Sequence, residues 1–407
     1  MEDFSSTMSF NHNKHLKEQF VSNLTGSSLL DIFSISFVIP IIVLLRRAIG
    51  FNYVSGSIKS QRSSKKDDGD SATAKYFNAY MVSMAVDFLF IVVPILLIHT
   101  VLSEWIHKLA LLLTLFLLFL MLVKRYSTSS SPGSHEPCDT VRKSISSFRV
   151  AMMDLGVGSF VVANALVSRH ARNVFSGGWK IALQSTCPLI LLGFARLVST
   201  SGVDYQVHVG EYGVHWNFFF TLAAISLLTS AINVHPQYCG VLGLFILIGY
   251  LGMYLIGVQL GYQLFFKNNN SASSHRDQLT RYRVCAVSVL LWLLTLVLNL
   301  HVEQVSRRMC NMAYVMLVLA VNFEVLAIFM LSEFTPGSNF TALEGAFDQN
   351  LLASFLLANL LTGLVNLSID TLFASSNQAL VILVLYAFVL SFFTGLASFY
   401  GFRLKFW

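Results

Sequence analysis

The chain alternates long apolar runs with short polar ones. About eleven runs stand out, near 29–45, 78–98, 106–123, 150–168, 181–199, 215–232, 240–266, 284–300, 313–332, 350–368 and 379–402. A helix needs about 20 mainly apolar residues to cross the hydrocarbon core. These runs are rich in Leu, Phe and Ala, whereas barrel strands would alternate over about ten residues. The pattern predicts an all-α fold, a polytopic transmembrane helical bundle of about 11 spans.

Composition agrees. Of 407 residues, 55% are hydrophobic and 12% charged, against roughly 25% charged in a soluble domain. The expected layout is an N-terminal segment over 1–28 and a single multi-span membrane domain over 29–407, with a disordered loop at 46–77 rich in Ser, Lys and Asp. The polar first 28 residues give no cleavable signal, so the run from Leu29 reads as the first span.

The net charge of +6 gains meaning by position. Lys and Arg cluster in 46–77, in 124–149, in 267–283 and at Arg403 and Lys405. Short basic loops stay cytosolic, which puts the N-terminus in the lumen and makes Asn23-Leu24-Thr25 a usable glycosylation sequon at Asn23. The five cysteines (Cys138, Cys187, Cys239, Cys285, Cys310) lack CxxC or CxxH spacing. A zinc site or disulfide framework is therefore not expected, and no metal is assigned.

Polar residues within or beside the spans carry the candidate chemistry, because ionisable groups in hydrocarbon are costly. The densest set is Asp204, His208, Glu211, His215 and Asn217, five polar side chains within a fourteen-residue stretch that runs directly into the apolar segment from Phe218. Helix packing needs no pair of histidines beside a carboxylate, so this stretch points to function. Asp154 precedes Gly156, Gly158, Ser159 and Asn164, a face suited either to close helix approach or to a site. Arg196 lies near a span end, where it can hold an anion or snorkel to headgroups. Asn322 and Glu324 fall mid-span. Asn359, Thr362 and Asn366 recur at spacings of three and four, one helical face that is expected to point into the bundle. Arg307-Arg308 is an interface anchor or a phosphate site. Absent are GxxxxGK[ST], HExxH and GxSxG patterns, which disfavours an ATP-driven pump, a zinc hydrolase and a serine hydrolase.

Five segments also carry a likeness. Lys14–Gly26, Met153–Phe160, Tyr205–Phe219, Val305–Asn311 and Ala358–Ser368 closely resemble the inositol acyltransferases of GPI-anchor biosynthesis, the class-W phosphatidylinositol-glycan enzymes known in fungi as the GPI-anchored wall transfer protein. The resemblance implies a multi-pass enzyme of the endoplasmic reticulum membrane, with about thirteen spans and a lumenal N-terminus. It also implies transfer of a fatty acyl group, typically palmitoyl, from acyl-coenzyme A to the inositol 2-hydroxyl of glucosaminyl-phosphatidylinositol. Its partners are then that glycolipid, acyl-coenzyme A as co-substrate and membrane lipid, with no bound cofactor and no nucleic acid. Family members carry one more span before the Met-Asp-Leu-Gly motif, ending in an aspartate and followed by Phe-Pro-Arg-Arg and a lysine. Here Ser146–Met153 joins directly to Asp154, and a second piece is missing near Tyr250. Without that aspartate and lysine, Asp154, His208 and His215 are the catalytic candidates. Arg196, Arg307 and Arg308 are candidates for phosphate, Glu211 for shaping the site, and Asn217, Asn359 and Asn366 for sugar or inositol hydroxyls. The alternatives are a catalytically impaired form, a membrane-bound O-acyltransferase of the separate class, and a transporter using Asp, Glu and His as a proton relay.

Overall fold

The computed structural model describes residues 28–49, 69–127, 156–166, 168–173, 179–201, 217–232, 234–246, 249–266, 274–306, 310–330, 341–369 and 373–402. Every regular element among them is helical: α1 (Leu29–Ile49), α2 (Gly69–Asp87), α3 (Val93–Thr100), α4 (Ile106–Ser127), α5 (Gly156–Leu166), α6 (Trp179–Ser201), α7 (Phe218–Ile232), α8 (Pro236–Ile246), α9 (Tyr250–Gly261), α10 (Ser274–His301), α11 (Met312–Met330), α12 (Ala342–Gln349), α13 (Leu351–Ser368) and α14 (Ser376–Phe399). A π-helical turn over Phe88–Val92 joins α2 to α3 without a break in the span. Helices are what an apolar chain must form in lipid, because they satisfy every backbone group within the segment.

Among the described residues seven helices are long and apolar enough to cross a membrane, and α6, α7 and α8 are shorter apolar helices. Two of the expected runs account for much of the difference from eleven. The run 150–168 is described only from Gly156, as an 11-residue helix. The run 240–266 is two helices, because Gly249 takes φ +106° and ψ −179°, a backbone region essentially reserved for glycine. α8 and α9 then fold against each other, and a Cβ on Gly243 would lie 2.8 Å from the Gly252 carbonyl oxygen. The expected loop at 46–77 is also narrower. α1 runs through Ile49 and α2 begins at Gly69, while residues 50–68 lie outside the described residues.

α11 is the hub. Within its span 89% of residues are buried, and it packs on α1, α5 and α10. Contacts fix helix directions. Ser34 bonds His107 early in α1 and α4, and Leu44 and Leu45 late in α1 share a cluster with Leu117, Leu120 and Met121 in the second half of α4, so α1 and α4 are parallel. Ser36 meets Glu324 and Arg47 lies over Phe329, so α1 and α11 are parallel too. Ser159 meets Asn322, and Ala163 clusters with Val325, Ile328 and Phe329, which makes α5 parallel to α11. α4 and α5 are consecutive among the described helices, and they run the same way. Successive spans of one chain must alternate. Residues 128–149 between them carry Glu136, Asp139, Arg142, Lys143 and Arg149 and no long apolar run.

Candidate functional site

Three helices that adjoin candidate segments in the sequence meet at one place. α5 begins two residues after Asp154, and α7 begins at the end of the Asp204–Asn217 stretch. Phe160 of α5 meets Phe218 of α7 edge to face at 5.6 Å, and Phe219 meets Phe355 of α13 at 5.9 Å. Phe355 stands one turn before Asn359. Such ring pairs add about 0.5–1.5 kcal/mol beyond the area they bury.

Asn217 fixes the junction. Its Oδ1 accepts from the backbone N–H groups of Phe219 (3.1 Å) and Phe220 (3.2 Å), capping α7. Its Nδ2 donates to the Gly193 carbonyl of α6 at 2.9 Å. An N-cap side chain satisfies donors that the first turn leaves orphaned. Asn217 is 8% exposed and ties the start of α7 to α6. Gly193 permits the approach, since a Cβ there would lie 2.6 Å from the Phe220 ring.

Behind this junction α11 supplies polar groups. Asn322 donates to Ser159 Oγ at 2.9 Å and to the Val318 carbonyl at 2.6 Å. Glu324 Oε2 accepts from Ser36 Oγ (2.9 Å) and from the Trp292 indole N–H (3.0 Å). Its Oε1 and the Asn322 Oδ1 have no partner among the described residues. Gly158 lets α5 close on α11, because a Cβ there would lie 2.7 Å from Val318. The expected small-residue packing of 153–160 is thus present at Gly158, while nothing crowds Gly156. Cys310, in the Val305–Asn311 motif, is buried, and burial pushes its thiol up to about 11. It is therefore a poor nucleophile at neutral pH.

The remaining candidates divide. Asn23, Asp154, His208, Glu211, His215, Arg307 and Arg308 lie outside the described residues. Arg196 is described, with an exposed side chain near the end of α6. The Asn359/Thr362/Asn366 face corrects the expectation that it points inward: all three residues are exposed. α13 instead buries Ser354 and Ala358, and Ser354 pairs with Thr394 of α14 at 3.1 Å. Asn359 turns its Nδ2 back to the Phe355 carbonyl at 2.7 Å, which partly satisfies an amide outside the bundle.

Sequence reasoning missed a second polar centre. Arg46 Nη2 lies 2.7 Å from Asp87 Oδ1, both side chains 2% exposed or less. Arg47 next to it forms a bidentate ion pair with Glu344 through Nε and Nη2. Asp87 Oδ2 also accepts the Leu343 N–H at 3.1 Å, near the start of α12. The sequence pattern groups Arg46 and Arg47 with a cytosolic loop, yet they form the last turn of α1 and are buried. The available signal was Asp87, the one acidic residue in the span Tyr76–Thr100.

Comparisons with known proteins place this arrangement. The sequence model of the GWT1 family matches residues 13–153, 145–248 and 242–397. An uncharacterized protein of Arabidopsis thaliana is 44% identical over 434 aligned positions, covering 90% of this chain and 98% of the relative. GPI-anchored wall transfer protein 1 of Aspergillus oryzae is 30% identical over 497 positions (92% and 95%). Glucosaminyl-phosphatidylinositol-acyltransferase PIGW of Bos taurus is 27% identical over 504 positions (92% and 96%). Each alignment is longer than the 407 residues of this chain, so the relatives carry residues at positions that it lacks. The family match is also broken at 145–153 and 242–248, the two places where the resemblance lacks a segment. A match across nearly the whole length decides the matter: the chain belongs to the GWT1 family.

Proposed function

We propose that this chain is an acyltransferase of GPI-anchor biosynthesis in the endoplasmic reticulum membrane. In this reading a fatty acyl group passes from acyl-coenzyme A to the inositol 2-hydroxyl of glucosaminyl-phosphatidylinositol. Family membership supports it, as do the printed names of the bovine and fungal relatives. The observation that carries the site is the junction of α5, α7 and α13, because it gathers the neighbours of Asp154, of the two-histidine stretch and of Asn359.

The chemistry sets the requirements. The inositol hydroxyl attacks the thioester carbonyl, its proton goes to a base, and the coenzyme A sulfur leaves as the ester forms. The developing oxyanion needs a donor or a positive charge. His208 and His215 are bases suited to neutral pH, and Arg196, Arg307 and Arg308 suit phosphates through bidentate contacts. Asn217 is a positioning residue, fixing the start of α7, which directly follows in sequence the stretch that carries both histidines.

A second reading has its own observation. Parallel α4 and α5 leave the chain one crossing short, which favours a catalytically impaired form of the same enzyme. Both readings are tested in microsomes from cells lacking their own enzyme, given labelled acyl-coenzyme A and glucosaminyl-phosphatidylinositol. Acylated product supports the first reading and rules out a transporter. In an active chain, His215→Ala lowers product about 10²-fold or more at equal protein level, the low end of what a positioned acid or base contributes. Unchanged turnover would remove His215 from the chemistry.

A further inference from the structure

α13 offers an unusual surface. Its span is apolar and only 11% buried, yet Asn359, Thr362 and Asn366 are exposed along one side of it. Thr362 Oγ1 bonds the Ala358 carbonyl at 2.8 Å and meets Tyr386 Oη of α14 at 3.3 Å, so α14 flanks the face there, and Asn359 Nδ2 bonds Phe355. The Asn359 carbonyl oxygen and the whole Asn366 amide keep no partner among the described residues. No other described span carries three exposed hydrogen-bonding side chains through its middle. Amides in lipid are costly unless another helix receives them, and there they act as glue between helices.

The described helices are also one crossing short. α4 and α5 run parallel, and the 128–149 sequence between them is too polar to recross a bilayer. The family match breaks at 145–153, and the relatives' alignments exceed this chain in length. One uncovered polar face and one absent crossing are complementary deficits.

We propose that the Asn359/Thr362/Asn366 face of α13 is the docking surface for a membrane-crossing helix that longer relatives carry between the positions matching 145 and 153. That helix presents hydrogen-bonding side chains at helical spacing. It would stand beside Phe355 and the α5–α7 junction. The position of α5 supports this, because a helix leading into Gly156 ends where Phe160, Phe218, Phe219 and Phe355 are joined ring to ring.

The test grafts the corresponding segment of the Arabidopsis thaliana relative into this chain between 145 and 153, with the native cysteines replaced by alanine. Single cysteines along the graft are paired with Asn359→Cys or Asn366→Cys and oxidised in membranes. Crosslinks recurring every three or four graft positions are expected, with none to Leu385→Cys on the exposed side of α14. No crosslinks, equal crosslinking to Leu385→Cys, or a graft that fails to cross by glycosylation mapping would each overturn the proposal. Stability gives a second readout. Asn359→Leu with Asn366→Leu should lower the unfolding midpoint of the grafted chain and leave the ungrafted chain unchanged; equal effects in both would also overturn it. Crosslinking requires no turnover, so its failure is separate from failure of acyl transfer.

Discussion

At Asp87 a carboxylate 0% exposed lies against the equally buried Arg46. Moving charges out of water is expensive, and losing one partner leaves the other uncompensated. Asp87→Asn should therefore destabilise the protein by about 3–5 kcal/mol, read as a lowered unfolding midpoint in detergent. Asp87→Leu combined with Arg46→Met should recover most of that loss, since an apolar pair removes the desolvation cost from both sides. If Asp87→Asn leaves the midpoint unchanged, the pair is not a structural tie. The sequence showed two arginines after an apolar run, and charge alone does not reveal pairing with a residue some forty positions away. Asn217 was legible as important but not in its role. The sequence presents it only as a candidate for substrate hydroxyls, and its bonds to Gly193 and the α7 N–H groups are visible only in the structure.

Helices were legible wherever the apolar run was long. α1, α10, α11, α13 and α14 fall on expected runs, because lipid leaves the backbone no alternative. Small residues were harder to interpret. Gly257 and Gly261 stand four apart on α9, where a Cβ would lie 2.7 Å from the Ala165 side chain and 2.6 Å from the Leu166 carbonyl. Their helices meet almost backbone to backbone. Gly261→Val should force α9 from α5 at a cost of about 1–3 kcal/mol, seen as faster proteolysis or a lowered midpoint. An unaltered midpoint would mean that the contact is loose. The inward direction expected for Asn359 and Asn366 failed for a related reason. Periodicity shows that they share a face, while which face is buried depends on how many helices surround it.

For the whole molecule, the sequence correctly indicated a multi-pass helical protein and its family, and the structure adds the parallel run of α4 and α5. That feature joins fold to activity. A chain one crossing short leaves a polar helix face open beside the junction of α5, α7 and α13. The most direct measurement is acyl transfer to glucosaminyl-phosphatidylinositol in microsomes of enzyme-deficient cells, comparing this chain with the same chain carrying the Arabidopsis thaliana segment between 145 and 153. The grafted chain should form acylated product, and the ungrafted chain at least about tenfold less, the loss that corresponds to roughly 1.4 kcal/mol of barrier. Equal product from both would contradict the account of the missing crossing, and no product from either would contradict acyl transfer itself.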